Sequence, residues 1–229
     1  MKTMSHNMKS RRAAWAFTLI ELLTVISIIG IIAAMTVGGI KSASAQRDRA
    51  AVEAQKAKII LALEDYKAKF GSYPPDNPVW ASANPHWNPL AYELGGVRRT
   101  NASAIEVNFQ SEVNPSHTIT NTAALPQLNS YFSLAGLVNA SPNASVAGKS
   151  FLNLKGGSGK TADYVLVTNG VPAMPAVMLL KVAAEHPTLT ENVWRYRAYP
   201  ATGHNPKSYD LWAEIKKSTG TTNIISNWK

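Results

Sequence analysis

Residues 22–40 read LLTVISIIGIIAAMTVGGI, nineteen positions without a charge between Glu21 and Lys41. A helix over them is about 28 Å long at 1.5 Å rise per residue, close to the ~30 Å hydrocarbon thickness of a bilayer. A segment that is apolar on every side goes into lipid or among other apolar helices, since one stripe is all that a head domain needs to cover.

The next thirty residues have a different pattern. Val52, Ile59, Leu63, Tyr66 and Phe70 recur at spacings of seven, four, three and four, with Arg49, Glu53, Lys56 and Lys67 set opposite. That is one face of an amphipathic helix. Gly71 and Pro74-Pro75 supply the stop. The pattern predicts near-continuous helix from Phe17 to Phe70, about 80 Å by its rise. Its first half is for membrane or for a bundle of like helices, and its second half is for packing on a head.

Composition permits such a head. Hydrophobic residues are 45% and charged residues 16% of the 229 positions, enough apolar side chains for a packed core. Cysteine is absent, which excludes disulfides, thiol catalysis and Cys-ligated zinc together. The net charge of +9 falls to +5 without Lys2, Lys9, Arg11 and Arg12, which crowd an acid-free start. The remaining basic residues are scattered rather than striped, so no nucleic-acid partner is expected.

A basic start before an apolar stretch also suits a simple anchor or a secretory signal. Ala43-Ser44-Ala45 offers an A-x-A cleavage site for the latter. Against it, the apolar stretch exceeds the usual ~7–15 residues of a signal. It also carries Glu21 near its cytoplasmic end. A carboxylate costs on the order of 2.5–3.5 kcal/mol at the bilayer centre, less near the interface. Neither export nor anchoring gives that acid a use.

Ala16-Phe17-Thr18-Leu19-Ile20-Glu21-Leu22-Leu23, continuing through Thr24–Met35, resembles the processing motif of type IV prepilins and type II secretion pseudopilins. The resemblance implies cleavage between Ala16 and Phe17 by prepilin peptidase and N-methylation of Phe17. It also implies that Glu21 pairs with the Phe17 amine of a neighbouring subunit during assembly, an ion pair that is strong in low dielectric once both charges are present. Two departures stand out. Ala16 occupies a position where the family usually has Gly, and Gly38-Gly39 stand where many members carry Pro. Ala62–Tyr66 with Gly71–Asn77, and Ser208–Trp212 with Asn223–Trp228, are similar to the stalk end and the C-terminal strand of major pseudopilins. Residues 78–207 are not covered by these resemblances.

The fold implied is α+β: a long N-terminal helical spine packed on a small antiparallel sheet, divided as leader 1–16, transmembrane and polymerisation helix 17–40, amphipathic continuation 41–70, loop-rich variable region 71–160, and sheet with tail 161–229. Within 71–160 one short helix near Leu90–Leu94 and one strand at 105–109 are expected. Strands are expected at Tyr164–Thr168, Val177–Val182, Val193–Tyr199 and Tyr209–Ile215, separated by turns at Asn169–Pro172 and Thr202–Pro206. Family relatives often bind calcium in an acidic loop after the Tyr-Asp-Leu strand. Here the loop reads Ala213–Thr222 with Lys216-Lys217 and no Asp, so no cofactor is expected and calcium is disfavoured, Asp210 and Glu214 being the carboxylates within reach.

Other motifs carry less. Gly156-Gly157-Ser158-Gly159-Lys160-Thr161 lacks the first glycine of a phosphate-binding loop, having Leu154 there. His6, His86, His117, His186 and His204 have no metal-binding spacing. Asn101, Asn139 and Asn143 head sequon patterns and are expected in polar loops. No nucleophile or paired carboxylates point to catalysis, so no enzyme is expected.

The resemblance implies a structural subunit of a type II secretion pseudopilus. It would be held single-pass in the inner membrane with its head in the periplasm, its partners being other copies of itself, membrane lipid, prepilin peptidase and an inner-membrane assembly platform. A type IV pilin for adhesion, motility or DNA uptake is the alternative, less favoured because many such pilins close a disulfide loop. A third is a module with a signal peptide, either a secreted enzyme or binding module released after Ala45 or a membrane-anchored binding module.

Overall fold

The computed structural model describes residues 18–77, 85–102, 107–157, 159–168, 174–217 and 221–228, with residues 37–42 and 102 as backbone only. Ala16, Phe17, Trp80, Ile105, Glu106 and the turn at Asn169–Pro172 lie outside these residues. The protein is mixed α and β, as the sequence pattern indicates. Helix α1 runs without interruption from Leu19 to Phe70, passing through Gly38-Gly39. By internal contacts the chain forms two compact units, Met1–Ala43 and Ser44–Lys229.

In the second unit, hereafter the head, α1 ends at Gly71. Its φ of +79° turns the chain off the helix axis, and its N–H donates to the Lys67 carbonyl at 2.8 Å. This is the left-handed stop that glycine adopts at little cost. Helix α2 (Leu90–Gly95) is buried at every position. Gly96 follows with φ +85°, where an added Cβ would lie 2.9 Å from the Lys149 carbonyl oxygen.

Strands β1 (Val97–Ala102), β2 (Val107–Ser111), β3 (Thr118–Asn121) and β4 (Ala140–Ser141) form a sheet in the order β3-β2-β1-β4. A register shift falls between Arg99 and Asn101. Helix α3 (Gln127–Phe132) connects β3 toward β4. This corrects the expectation of one strand in a loop-rich region. The strand expected at 105–109 is described from Val107, and three further strands and a helix accompany it. The β1–β4 pair is parallel, so the head is not purely antiparallel.

The C-terminal third agrees more closely with its sequence pattern. Strands β5 (Tyr164–Val167) and β6 (Val177–Leu180) pair antiparallel, and β7 (Arg195–Ala198), β8 (Tyr209–Lys216) and β9 (Thr222–Ser226) form a second antiparallel group in that order. A bridge between Lys181 and Val193, with Trp194 N–H donating to Leu180 O and Val182 N–H to Asn192 O, joins the two groups. Along β8, Tyr209, Leu211, Ala213 and Ile215 point into the core, the period-2 alternation of a sheet with one covered face. The core joins these side chains to Trp194, Tyr196, Tyr92, Phe109, Phe132 and the inner face of α1.

Candidate functional site

The apolar start of α1 is the first candidate. Leu19–Thr36 is long and apolar enough to cross a membrane, and every side chain from Thr18 to Thr36 is exposed. Its few polar groups bond within the helix. Thr24 Oγ1 donates to Glu21 O at 2.9 Å, Ser27 Oγ to Leu23 O at 2.8 Å and Thr36 Oγ1 to Ala33 O at 2.9 Å. Such back-bonding leaves no hydroxyl needing water, which is the condition for residence in hydrocarbon.

Glu21 has a local partner that the sequence reading overlooked. Its Oε2 accepts from Thr18 N–H at 2.9 Å and from Thr18 Oγ1–H at 2.7 Å, while Glu21 N–H donates back to Thr18 Oγ1 at 3.3 Å. Thr18-Leu19-Ile20-Glu21 is a capping box, legible as T-x-x-E, and it satisfies first-turn donors that lipid cannot. The acid therefore has a use within its own chain, which export and anchoring alone did not supply. Glu21 is the one acidic or basic residue between Leu19 and Thr36.

The second half of α1 has two distinct faces. Val52, Ile59, Ala62, Leu63 and Tyr66 are buried against the head, with Phe70 only partly covered. Polar side chains fasten the edges of that contact. Gln55 Oε1 accepts from Ala183 N–H at 2.8 Å, Lys56 Nζ donates to Ser226 O at 3.0 Å, and Lys160 pairs with Asp48 at 2.6 Å. Lys56 and Lys67, expected opposite the head, reach it; Lys67 Nζ sits 4.5 Å above the Tyr73 ring. The outer face carries Ala50, Ala54, Ala57, Leu61 and Ala68, all exposed, Leu61 by 64%.

Glu93 locks the docked helix to the interior. It is fully buried on α2, and its carboxylate accepts from Val138 N–H at 2.8 Å, Asn139 N–H at 2.8 Å and Tyr66 Oη–H at 2.9 Å. Asn139 Nδ2 donates at 2.7 Å to both Glu93 O and Lys149 O. Asn139 lies in a turn, as its sequon pattern suggests, but is a buried linker there and not a surface group. Burial raises the Glu93 pKa against the opposing pull of its hydrogen bonds, and burial likewise raises that of Tyr66, with the Glu93 charge adding to it. Nothing in Leu90-Ala91-Tyr92-Glu93 announces this role, since an acid beside an apolar run usually faces water.

The remaining candidates are committed elsewhere. Asp210 is buried and accepts from His204 N–H at 2.8 Å, Asn205 N–H at 2.9 Å and Asn205 Nδ2 at 3.0 Å, which folds the loop before β8 over the sheet. Gly203 is needed there, because a Cβ would lie 2.3 Å from Asp210 Oδ2. Glu214 faces His186 Nε2 at 3.1 Å and Arg195 Nε at 3.5 Å. His186 Nδ1 accepts from Thr188 and Leu189 N–H, while its Nε2 lies 3.1 Å from both Glu214 Oε2 and Arg195 Nη2. Among the described residues no three His, Cys, Asp or Glu gather as a metal set. A recess of about 430 Å³ beside His186 has its lysines, Lys160 and Lys181, already paired with Asp48 and Glu191. Lys160 ends the glycine-rich run in a short 3-10 turn, Gly159–Thr161, and anchors it to α1.

No family model, curated protein or solved structure matches the chain.

Proposed function

We propose that this chain is a membrane-stored structural subunit that polymerises through α1 in the manner of a type II secretion pseudopilin. The observation that carries the reading is the exposed start of α1: an apolar, internally satisfied helix headed by one acid, continuous in sequence with a half that docks on a folded head. A plain anchor can use the acid as a cap on its own helix, but it has no need of the processing motif before it. In this reading lipid covers the apolar half before assembly, and the same half of neighbouring copies covers it afterwards. Leader removal would free the Phe17 amine, and the Glu21 carboxylate, held at the helix start by Thr18, would meet that amine from a neighbour.

The capping box permits a sharper test than removal of the acid alone. Glu21→Val is expected to leave leader cleavage and membrane insertion intact and to cut sheared filament yield at least tenfold. Thr18→Val removes the hydroxyl half of the box and keeps the charge, and is expected to retain most of the yield. Equal loss from both variants would mean that Glu21 acts only by capping its own helix. Normal yield from Glu21→Val would remove the acid from the assembly mechanism.

A further inference from the structure

Between Arg47 and Ala68 the outer face of α1 carries four charges, Arg47, Glu53, Lys58 and Glu64, in a pattern that stays largely in solvent, Glu64 alone of the four being bonded to the head through Tyr73. Taking the line Ala50, Ala54, Ala57, Leu61, Ala68 as its centre, at 100° per residue Arg47 and Lys58 lie roughly 60–80° to one side. Glu53 and Glu64 lie roughly 40–60° to the other side. Arg47, Lys58 and Glu64 are exposed, and Glu53 leaves 42% of its side chain in solvent. The charges nearest the line are therefore cationic on one flank, apart from Asp65, and acidic on the other, with Arg49 and Lys67 farther round the acidic side. When two parallel helices meet along this line, the cationic flank of each lies against the acidic flank of the other.

The spacing fixes the register. Arg47 to Glu53 and Lys58 to Glu64 are both six residues. We infer that this face docks on the same face of a second copy, parallel and displaced by about six residues, or ~9 Å along the axis. Arg47 and Lys58 of one copy then face Glu53 and Glu64 of the next. A displacement of seventeen residues brings only Arg47 to Glu64, and one of five in the opposite sense brings only Lys58 to Glu53, so six is the shift that satisfies two pairs along one flank. The alanines allow close approach of the backbones, and Leu61 is the single large apolar side chain on the line.

Neighbouring groups do not cancel the pattern. Glu53 already pairs with Lys56 on its own helix, and Glu64 accepts from Tyr73 Oη–H at 3.0 Å. Each carboxylate offers about four lone-pair sites and has room for another donor. Asp65 shares the cationic flank beyond Lys58, with Lys69 one turn further on. A displaced parallel contact is heterologous and does not close on itself, so repetition gives a filament rather than a dimer. The inference rests on the proposed filament and adds its subunit register.

Charge reversal in the full chain tests it. Arg47→Glu with Lys58→Glu, and separately Glu53→Lys with Glu64→Lys, are each expected to lower filament yield at least tenfold. All four changes together are expected to restore it, because the flanks are then exchanged and complementary again. A fold-independent arm uses the absence of native cysteine. Arg47→Cys with Glu53→Cys should give an oxidised ladder of dimers, trimers and higher species, and Arg47→Cys with Glu64→Cys should give none. Wild-type yield from both double reversals, or a ladder only from the second cysteine pair, overturns the register while the filament reading stands. Absence of filaments from the wild type overturns both.

Discussion

Replacing Glu93 with alanine is expected to lower the stability of the head by about 3–5 kcal/mol, because it leaves buried donors without their acceptor at about 1–3 kcal/mol each. Val138 N–H, Asn139 N–H and the Tyr66 hydroxyl all lose their acceptor at once. For a head of this size each kcal/mol is worth about 2–4 °C, so a fall of about 10 °C in Tm is expected for a fragment beginning at Arg47. Glu93→Gln isolates the titration. Burial raises the folded-state pKa above the ordinary 4.5, so the folded form binds the proton more tightly than the unfolded one. That contribution is fully present below the unfolded value and is lost as pH rises through the folded value. Wild type should therefore gain on the Gln variant as pH falls across that interval. A gap that widens with rising pH in favour of wild type would contradict the stated burial effect.

Leu63→Ala should cost about 2–5 kcal/mol and Leu61→Ala less than about 0.5 kcal/mol. Leu63 has no exposed surface at the centre of the docked face, so truncation removes apolar burial and leaves a cavity bounded by α1 and the sheets. Leu61, two residues earlier, is 64% exposed on the outer face and touches little that alanine would lose. Urea unfolding of the two variants, read at constant m, measures the contrast. Similar midpoints would mean that α1 is docked by another face. A small effect at Leu61 on the isolated head, joined to a large effect on filament yield, would mark the outer face as a contact between copies.

The legibility of these features follows from how each is encoded. The apolar run, the inward set Val52, Ile59, Leu63 and Tyr66, and the strands from Tyr164 onward are written as periodicities, and periodicity survives in a single sequence. The sheet of β1 to β4 was largely hidden because its strands are short and polar. Val97-Arg98-Arg99-Thr100-Asn101-Ala102 and Thr118-Ile119-Thr120-Asn121 alternate weakly, and β4 is a two-residue parallel contact supplied by the tertiary fold. Glu93 and Asp210 were illegible as interior residues for another reason. Their partners are chiefly backbone N–H groups tens of residues away or in a folded-back loop, which leave little side-chain pattern to read. The Thr18–Glu21 box is legible as T-x-x-E, but an acid at the edge of an apolar run is equally compatible with an intermolecular partner, so the sequence alone does not separate the two uses. The charged flanks of α1 were visible as residues, but only the burial of the opposite face identifies them as an unused surface.

N-terminal sequencing and intact mass of the membrane-derived protein test the account most directly. The account predicts a chain that begins with N-methyl-Phe17 and lacks Met1–Ala16, with α1 retained whole. A chain beginning at Gln46, cut after Ala43-Ser44-Ala45, would contradict it, since the apolar half of α1 would be gone and the product would be a released module.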